Sequence, residues 1–300
     1  MTEFQDRFRT EADCLAYLEK IRWPDGFCCP HCKHGEAGRT VRGLWQCRKC
    51  RRQVSVTAGT IFQDTRKPLR QWFQAVWHVT NQKHGVSALG LQRALGLGSY
   101  PTAWNWLHKL RRAMVRPRRE RLSGLVEVDE VFVGGVKPGK PGRGAAGKTL
   151  VLVAAQEVGP REIGRIRLRR IPDASMMTLH EAVEECVEPG STVRTDQWRG
   201  YNSLDAIGYE RTIARKDAIV GEDALPLVNL VASLLKRWLL GTHQGAVHPS
   251  HLDYYLDEFT FRFNRRTSKS RGLLFYRLIQ QALATPPWTE ADLRGGFAAQ

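Results

Sequence analysis

The stretch LVEVDEVFVGG, running from Leu125 to Gly135, alternates apolar with acidic residues. A period of two is what a β-strand imposes, because successive side chains leave the backbone on opposite faces. Asp129 sits at its middle, with Glu127 two residues before it and Glu130 beside it. Carboxylates on a core strand are costly unless something of opposite charge is held against them. This segment is therefore expected to be both a central strand and part of a site.

Downstream, TLVLVAAQEV from Thr149 and IGRIRLRRI from Ile163 read as two further strands. ASMMTLHEAVEECV from Ala174 has a helical period, STVRTD from Ser191 is a fourth strand, and RTIAR from Arg211 is a candidate fifth. LPLVNLVASLLKRWLL from Leu225 and HLDYYLDEFTFRFNRR from His251 are helices. Three strands, a helix, a strand and later helices make an α/β order.

One motif between the first two strands is a decoy. Gly142 to Thr149, GRGAAGKT, fits the phosphate-binding pattern G-x-x-x-x-G-K-[ST] letter for letter. That pattern works only when a helix follows, so that its N-terminus meets the phosphates. Here Thr149 runs straight into β-branched, strand-like sequence, and the nucleotide-binding reading is rejected. The loop's Lys137, Lys140, Arg143 and Lys148 are instead candidates for a polyanion's backbone.

Upstream, residues 65 to 121 read as helical. Leu69, Trp72, Phe73, Val76, Trp77 and Val79 follow helical spacing. Ser87 is a candidate N-cap for one short helix, and Ser99 or Thr102 for the next, which gives a helix-turn-helix shape. The zone closes on Arg116, Arg118, Arg119 and Arg121.

Residues 1 to 64 hold six of the seven cysteines. Cys29 and Cys32 form one C-x-x-C turn, and Cys47 and Cys50 another. Two such turns present four thiolates to one tetrahedral ion, so a structural Zn²⁺ is expected, with Cys28, His31 and His34 as competing ligands. Arg48, Lys49, Arg51 and Arg52 flank the second turn and are candidate DNA contacts. Cys14 and Cys186 are read as packed thiols.

The whole chain of 300 residues carries 46 Lys and Arg against 30 Asp and Glu, a net charge of +16. Such an excess favours a polyanionic partner, since each cation set on a phosphate releases a condensed counterion. No secretory leader and no membrane span are expected, which points to the cytoplasm and, for a nucleic-acid binder, the nucleoid.

The chain resembles the bacterial insertion-sequence transposases of the ISXO-like group. The resemblance rests on CPHC and CRKC, on QVSVTAGTIFQDTRKPL, on VEVDEVFVGG, on TDQWRGY, on LLKRWLLGTHQG and on YLDEFTFRFNRR. It implies an RNase H-like DDE-type domain over 122–300, preceded by a zinc ribbon over 1–64 and the helical DNA-binding segment over 65–121. It implies cleavage and transfer of strands of double-stranded DNA, using Mg²⁺ or Mn²⁺, by a homo-oligomer that holds two element ends. Asp129 and Asp196 match the first two catalytic acids. The helix in which a third acid is expected has none. Asn229 matches a known variant of that position, and Lys236, on the same helix face, matches its accompanying lysine. Glu258 is the alternative third acid. The competing reading is a non-catalytic DNA-binding regulator or a decayed transposase.

Overall fold

The computed structural model describes residues 2–82, 84–115, 119–134, 148–214, 223–245 and 247–295. They form two compact units, one from residues 1–116 with 268–294, the other from 117–267 with 295–300.

The first unit begins with α1 (Thr2–Arg7) and α2 (Glu11–Arg22). Thr10 and Asp13 cap α2 reciprocally, each side chain accepting the other's backbone N–H. A small antiparallel sheet follows, β1 (Ala37–Arg39), β2 (Trp45–Cys47) and β3 (Gln53–Val54), in that spatial order. Next come α3 (Leu69–Asn81), α4 (Ala88–Leu95) and α5 (Tyr100–Ala113). Ser87 and Ser99 cap α4 and α5, accepting from the backbone N–H of Gly90 and Thr102. Gly96 ends α4 at φ 60°, the left-handed conformation that glycine tolerates best. Pro68 opens α3 with no side-chain cap of its own. Glu11 supplies one from outside, its two carboxylate oxygens accepting from Leu69 N at 2.7 Å and Arg70 N at 3.2 Å.

The second unit is built on a five-stranded sheet. β4 (Leu125–Val133), β5 (Thr149–Gly159) and β6 (Glu162–Ile171) form an antiparallel meander. α6 (Met176–Cys186) then carries the chain back across the sheet, so that β7 (Thr192–Thr195) pairs parallel to β4, and β8 (Glu210–Ile213) parallel to β7. The order is β6-β5-β4-β7-β8, with β4 at the centre. This is the RNase H-like arrangement. A crossover helix is required because parallel strands cannot be joined by a hairpin.

The two sheet faces differ. Val126, Val128, Leu152, Ala154 and Val193 pack into one core with Leu179, Ala182 and Val183 of α6. Glu127 and Asp129 alternate onto the other face. There α7 (Pro226–His243) packs on β4 and β5, and α8 (Leu252–Phe263) on β6. Trp238 of α7 meets Phe259 of α8 at 5.7 Å between ring centroids.

The last helices, α9 (Arg271–Ala284) and α10 (Glu290–Arg294), return to the first unit. The sequence reading ran 122–300 as one stretch, whereas here Phe275 lies 5.5 Å from Phe8, 5.6 Å from Phe73 and 5.7 Å from Phe4. These aromatic contacts pack α9 against that core. Among the described residues, no helix is long and apolar enough to cross a membrane.

Candidate metal centres

The two cysteine turns fold alike. In the first, Cys29 N donates to His34 O and Lys33 N to Cys29 O, each at 2.9 Å. In the second, Cys47 N donates to Arg52 O and Arg51 N to Cys47 O, each at 3.0 Å. The residue after each second cysteine is left-handed, Lys33 at φ 60° and Arg51 at φ 61°. The chain thus makes the same knuckle twice, which turns backbone N–H groups toward the sulfurs. The N–H of Cys32 holds the Cys29 thiol down to about 6, and that of Cys50 lowers Cys47.

All four ligand sulfurs lie within 4.8 Å of one another. Cys29 Sγ is 3.6 Å from Cys50 Sγ, and Cys32 Sγ 3.6 Å from Cys47 Sγ. Four thiolates at 2.3 Å around a tetrahedral ion would stand roughly 3.8 Å apart, so the donor set fits zinc. A disulfide requires about 2.05 Å, which these pairs do not approach. Among the described residues this is the only cluster of three or more His, Cys, Asp or Glu able to hold a metal. Cys28 is outside it and exposed, and the His31 ring bonds Arg52 instead. Cys14 and Cys186 are buried in packing. Arg48, Lys49, Arg51 and Arg52 are all exposed, with Arg48 facing Glu36 at 3.7 Å.

The second candidate centre is at the middle of β4 and just past the end of β7. These strands pair in parallel, with Leu125 opposite Thr192, Val126 opposite Val193 and Glu127 opposite Arg194. Asp129 follows the last registered pair by two residues on β4, and Asp196 follows it by two just past the end of β7. Both are partly exposed. Asp129 Oδ1 accepts from Glu130 N at 2.8 Å, and Asp196 Oδ1 from Trp198 N at 2.9 Å. Carboxylates are hard oxygen donors of the kind that suit Mg²⁺ or Mn²⁺.

Tyr201 reports the proximity of these charges. Its hydroxyl donates to Glu130 Oε2 at 2.7 Å. Burial, then the negative charges of Glu130, Asp129 and Asp196, push its ionisation well above the ordinary value.

Around this pair the flanking residues are tied down. Arg194 Nη1 reaches Glu127 Oε1 at 3.3 Å and Glu157 Oε2 at 3.1 Å. Glu127 is fully buried, and its Oε2 accepts from Leu227 N at 2.8 Å and Val228 N at 3.1 Å at the start of α7. Burial pushes the Glu127 carboxyl up, against the opposing pull of those two amides and of Arg194. The sequence reading flagged Glu127 only as a neighbour of Asp129 and passed over Arg194. The signal was present as E-x-D in one motif and R-x-D in the other, opposite charges two residues ahead of each aspartate.

Asn229, Ser233 and Lys236 all lie on the exposed side of α7. Asn229 Nδ2 donates to Asp223 Oδ1 at 2.7 Å, and its carboxamide oxygen is the atom of that side chain able to ligate a cation. Partial desolvation, then the charge of Lys148, lowers Lys236 from the usual lysine range. Lys148 is exposed at the start of β5. Lys137, Lys140 and Arg143 lie outside the described residues. Thr149 opens a strand, which removes the helix that the GRGAAGKT pattern would need. Glu258 is 1 % exposed on α8, which packs on β6, two strands from β4.

Comparison with known proteins agrees with this anatomy. Residues 121–264 match the ISXO2-like transposase domain, and residues 9–53 the transposase zinc-ribbon domain. An uncharacterized protein in transposable element ISH50 of Halobacterium salinarum is 28% identical over 278 residues, covering 85% of this chain and 91% of its own length. Among solved structures, the catalytic core domain of BIV integrase is 15% identical with a TM-score of 0.34, covering 49% of this chain and 88% of its own. A simian T-cell lymphotropic virus intasome chain is 16% identical with the same TM-score, covering 61% of this chain and 70% of its own.

Proposed function

The chain belongs to the ISXO2-like insertion-sequence transposases, and from that membership we propose that it cuts double-stranded DNA at its element's ends and joins the freed strands to target DNA. The observation that carries this reading is the parallel pairing of β4 with β7, which bear Asp129 and, just past the strand end, Asp196. These two carboxylates hold the catalytic cation. When bound there, Mg²⁺ or Mn²⁺ would supply the positive charge that activation of a water or 3′-hydroxyl and departure of the leaving oxygen require.

The protein's own groups do the rest. The carboxamide oxygen of Asn229 adds a neutral ligand. Lys236, with Lys148 near it, holds the phosphate and offsets its charge. Lys137, Lys140 and Arg143 are further proposed contacts to the DNA backbone. Arg48, Lys49, Arg51 and Arg52 make further phosphate contacts from the zinc ribbon, in which Cys29, Cys32, Cys47 and Cys50 bind Zn²⁺ for folding alone. Because two element ends must be joined, more than one copy acts on the DNA, at the nucleoid.

The test is nicking of a duplex carrying a terminal repeat of the element. Wild type cuts with Mg²⁺ or Mn²⁺, and Asp129→Ala and Asp196→Ala do not while still binding the duplex. A folded wild-type protein that binds but cuts with neither metal is a non-catalytic DNA-binding protein.

A further inference from the structure

The pairing of β4 with β7 fixes the strands that bear Asp129 and lead into Asp196, but Asn229 and Lys236 stand on a helix. A helix packed on a sheet can slide along its axis or turn about it by small amounts, and reactive geometry tolerates little of either. Something must fix α7 against the strands.

The helix does not cap itself. Leu225 is its N-cap residue, with no side-chain hydrogen bond, and Pro226 stands in its first turn. The next two backbone N–H groups, of Leu227 and Val228, have no partner within the helix. Both are taken by a single oxygen, Glu127 Oε2, from the middle of β4. The other oxygen of the same carboxylate faces Arg194 on β7, the residue registered opposite it. One fully buried side chain therefore touches all three elements that bear the proposed site. On each, its attachment point is close to a site residue: two before Asp129, two before Asp196 through Arg194, and one residue before Asn229.

We propose that Glu127 is the positioning residue of this site: its carboxylate fixes the N-terminus of α7 to β4 and β7, and so sets where Asn229 and Lys236 stand relative to Asp129 and Asp196. The proposal rests on the assignment of Asn229 and Lys236 made above. A carboxylate is needed because it accepts from the amides on one oxygen and from the guanidinium on the other. In Glu127→Gln the neutral carboxamide oxygen accepts from the amides more weakly than the carboxylate does, and its NH₂ group faces Arg194, donor against donor, which turns the side chain away.

Two readouts on the full-length zinc-loaded protein test this. The first is amide hydrogen exchange at Leu227 and Val228 without divalent metal. The second is the Mg²⁺ concentration for half-maximal nicking. Glu127→Gln is expected to speed exchange at these amides about tenfold, leaving the core of the sheet protected. It should raise the Mg²⁺ requirement about tenfold, with the rate at saturating Mg²⁺ reduced far less. Glu127→Ala should show both effects more strongly, and if it fails to fold, Glu127→Gln decides. Unchanged exchange in a folded Glu127→Gln protein overturns the proposal. So does faster exchange with an unaltered Mg²⁺ requirement, since the anchor would then position nothing. Asn229→Ala keeps the two readings apart. If it nicks normally while Glu127→Gln loses protection and gains a Mg²⁺ requirement, Glu127 is a positioning residue and Asn229 is not the ligand it positions.

Discussion

Glu127 and Arg194 face each other across the parallel pairing of β4 and β7, and each precedes an aspartate by two residues. An ion pair of this kind fixes the register of the strands beside the candidate site. The buried partner is costly to leave alone, so neither residue is replaceable without the other. It also accounts for a fully buried carboxylate on β4.

At the third position, the account predicts that Asn229→Ala abolishes strand cleavage and Asn229→Asp retains a part of it. Lys236→Ala should slow cleavage about a hundredfold, the order seen when one stabiliser of transition-state charge is removed. Glu258→Gln should be mild. Cleavage rates of folded, DNA-binding variants decide. Normal cutting by Asn229→Ala together with a dead Glu258→Gln would make Glu258 the third acid.

Removal of zinc should unfold residues near 29 to 50 and weaken DNA binding, because a ribbon with so few buried apolar residues does not hold without its ion. Limited proteolysis with and without a chelator reads the local effect, and a binding isotherm the functional one. The sheet of the second unit should stay protected throughout. A chelator that changes neither proteolysis nor binding contradicts the structural role of the four cysteines.

Tyr201 gives a prediction in pH. Its folded-state ionisation is raised by burial and by Glu130, Asp129 and Asp196. A raised value means that the folded protein keeps a proton which the unfolded chain releases at about 10. The stabilisation is complete below that pH and is lost as pH rises toward the folded value, by up to about 1.4 kcal/mol per pH unit. Denaturation of wild type and Tyr201→Phe compared from pH 8 to 11 should show wild type losing stability faster above 10. Parallel curves would mean that the hydroxyl is not buried against carboxylates.

Much of this molecule is legible in its residues. Ser87 and Ser99 cap the helices their positions announce, the two C-x-x-C turns converge, and the alternation around Asp129 is a strand. Those features depend on neighbours a few residues apart. The pairing of Glu127 with Arg194 depends on which strands lie side by side and in what register, and a period of two carries no such information. The cap that Glu127 gives α7 spans about a hundred residues, as the cap Glu11 gives α3 spans nearly sixty. The grouping of α9 with the first unit is of the same kind: Phe275 shows an apolar face but not its partner.

The most direct test of the central claim is a double-mutant cycle on Mn²⁺ binding, measured by electron paramagnetic resonance on zinc-loaded protein with a bound DNA end. If Asp129 and Asp196 hold one ion together, Asp129→Asn and Asp196→Asn should each remove the Mn²⁺ signal about as completely as both substitutions combined, since a shared site is strongly non-additive. Losses that simply add, or full binding retained in either single variant, would mean that the two aspartates do not form one metal site.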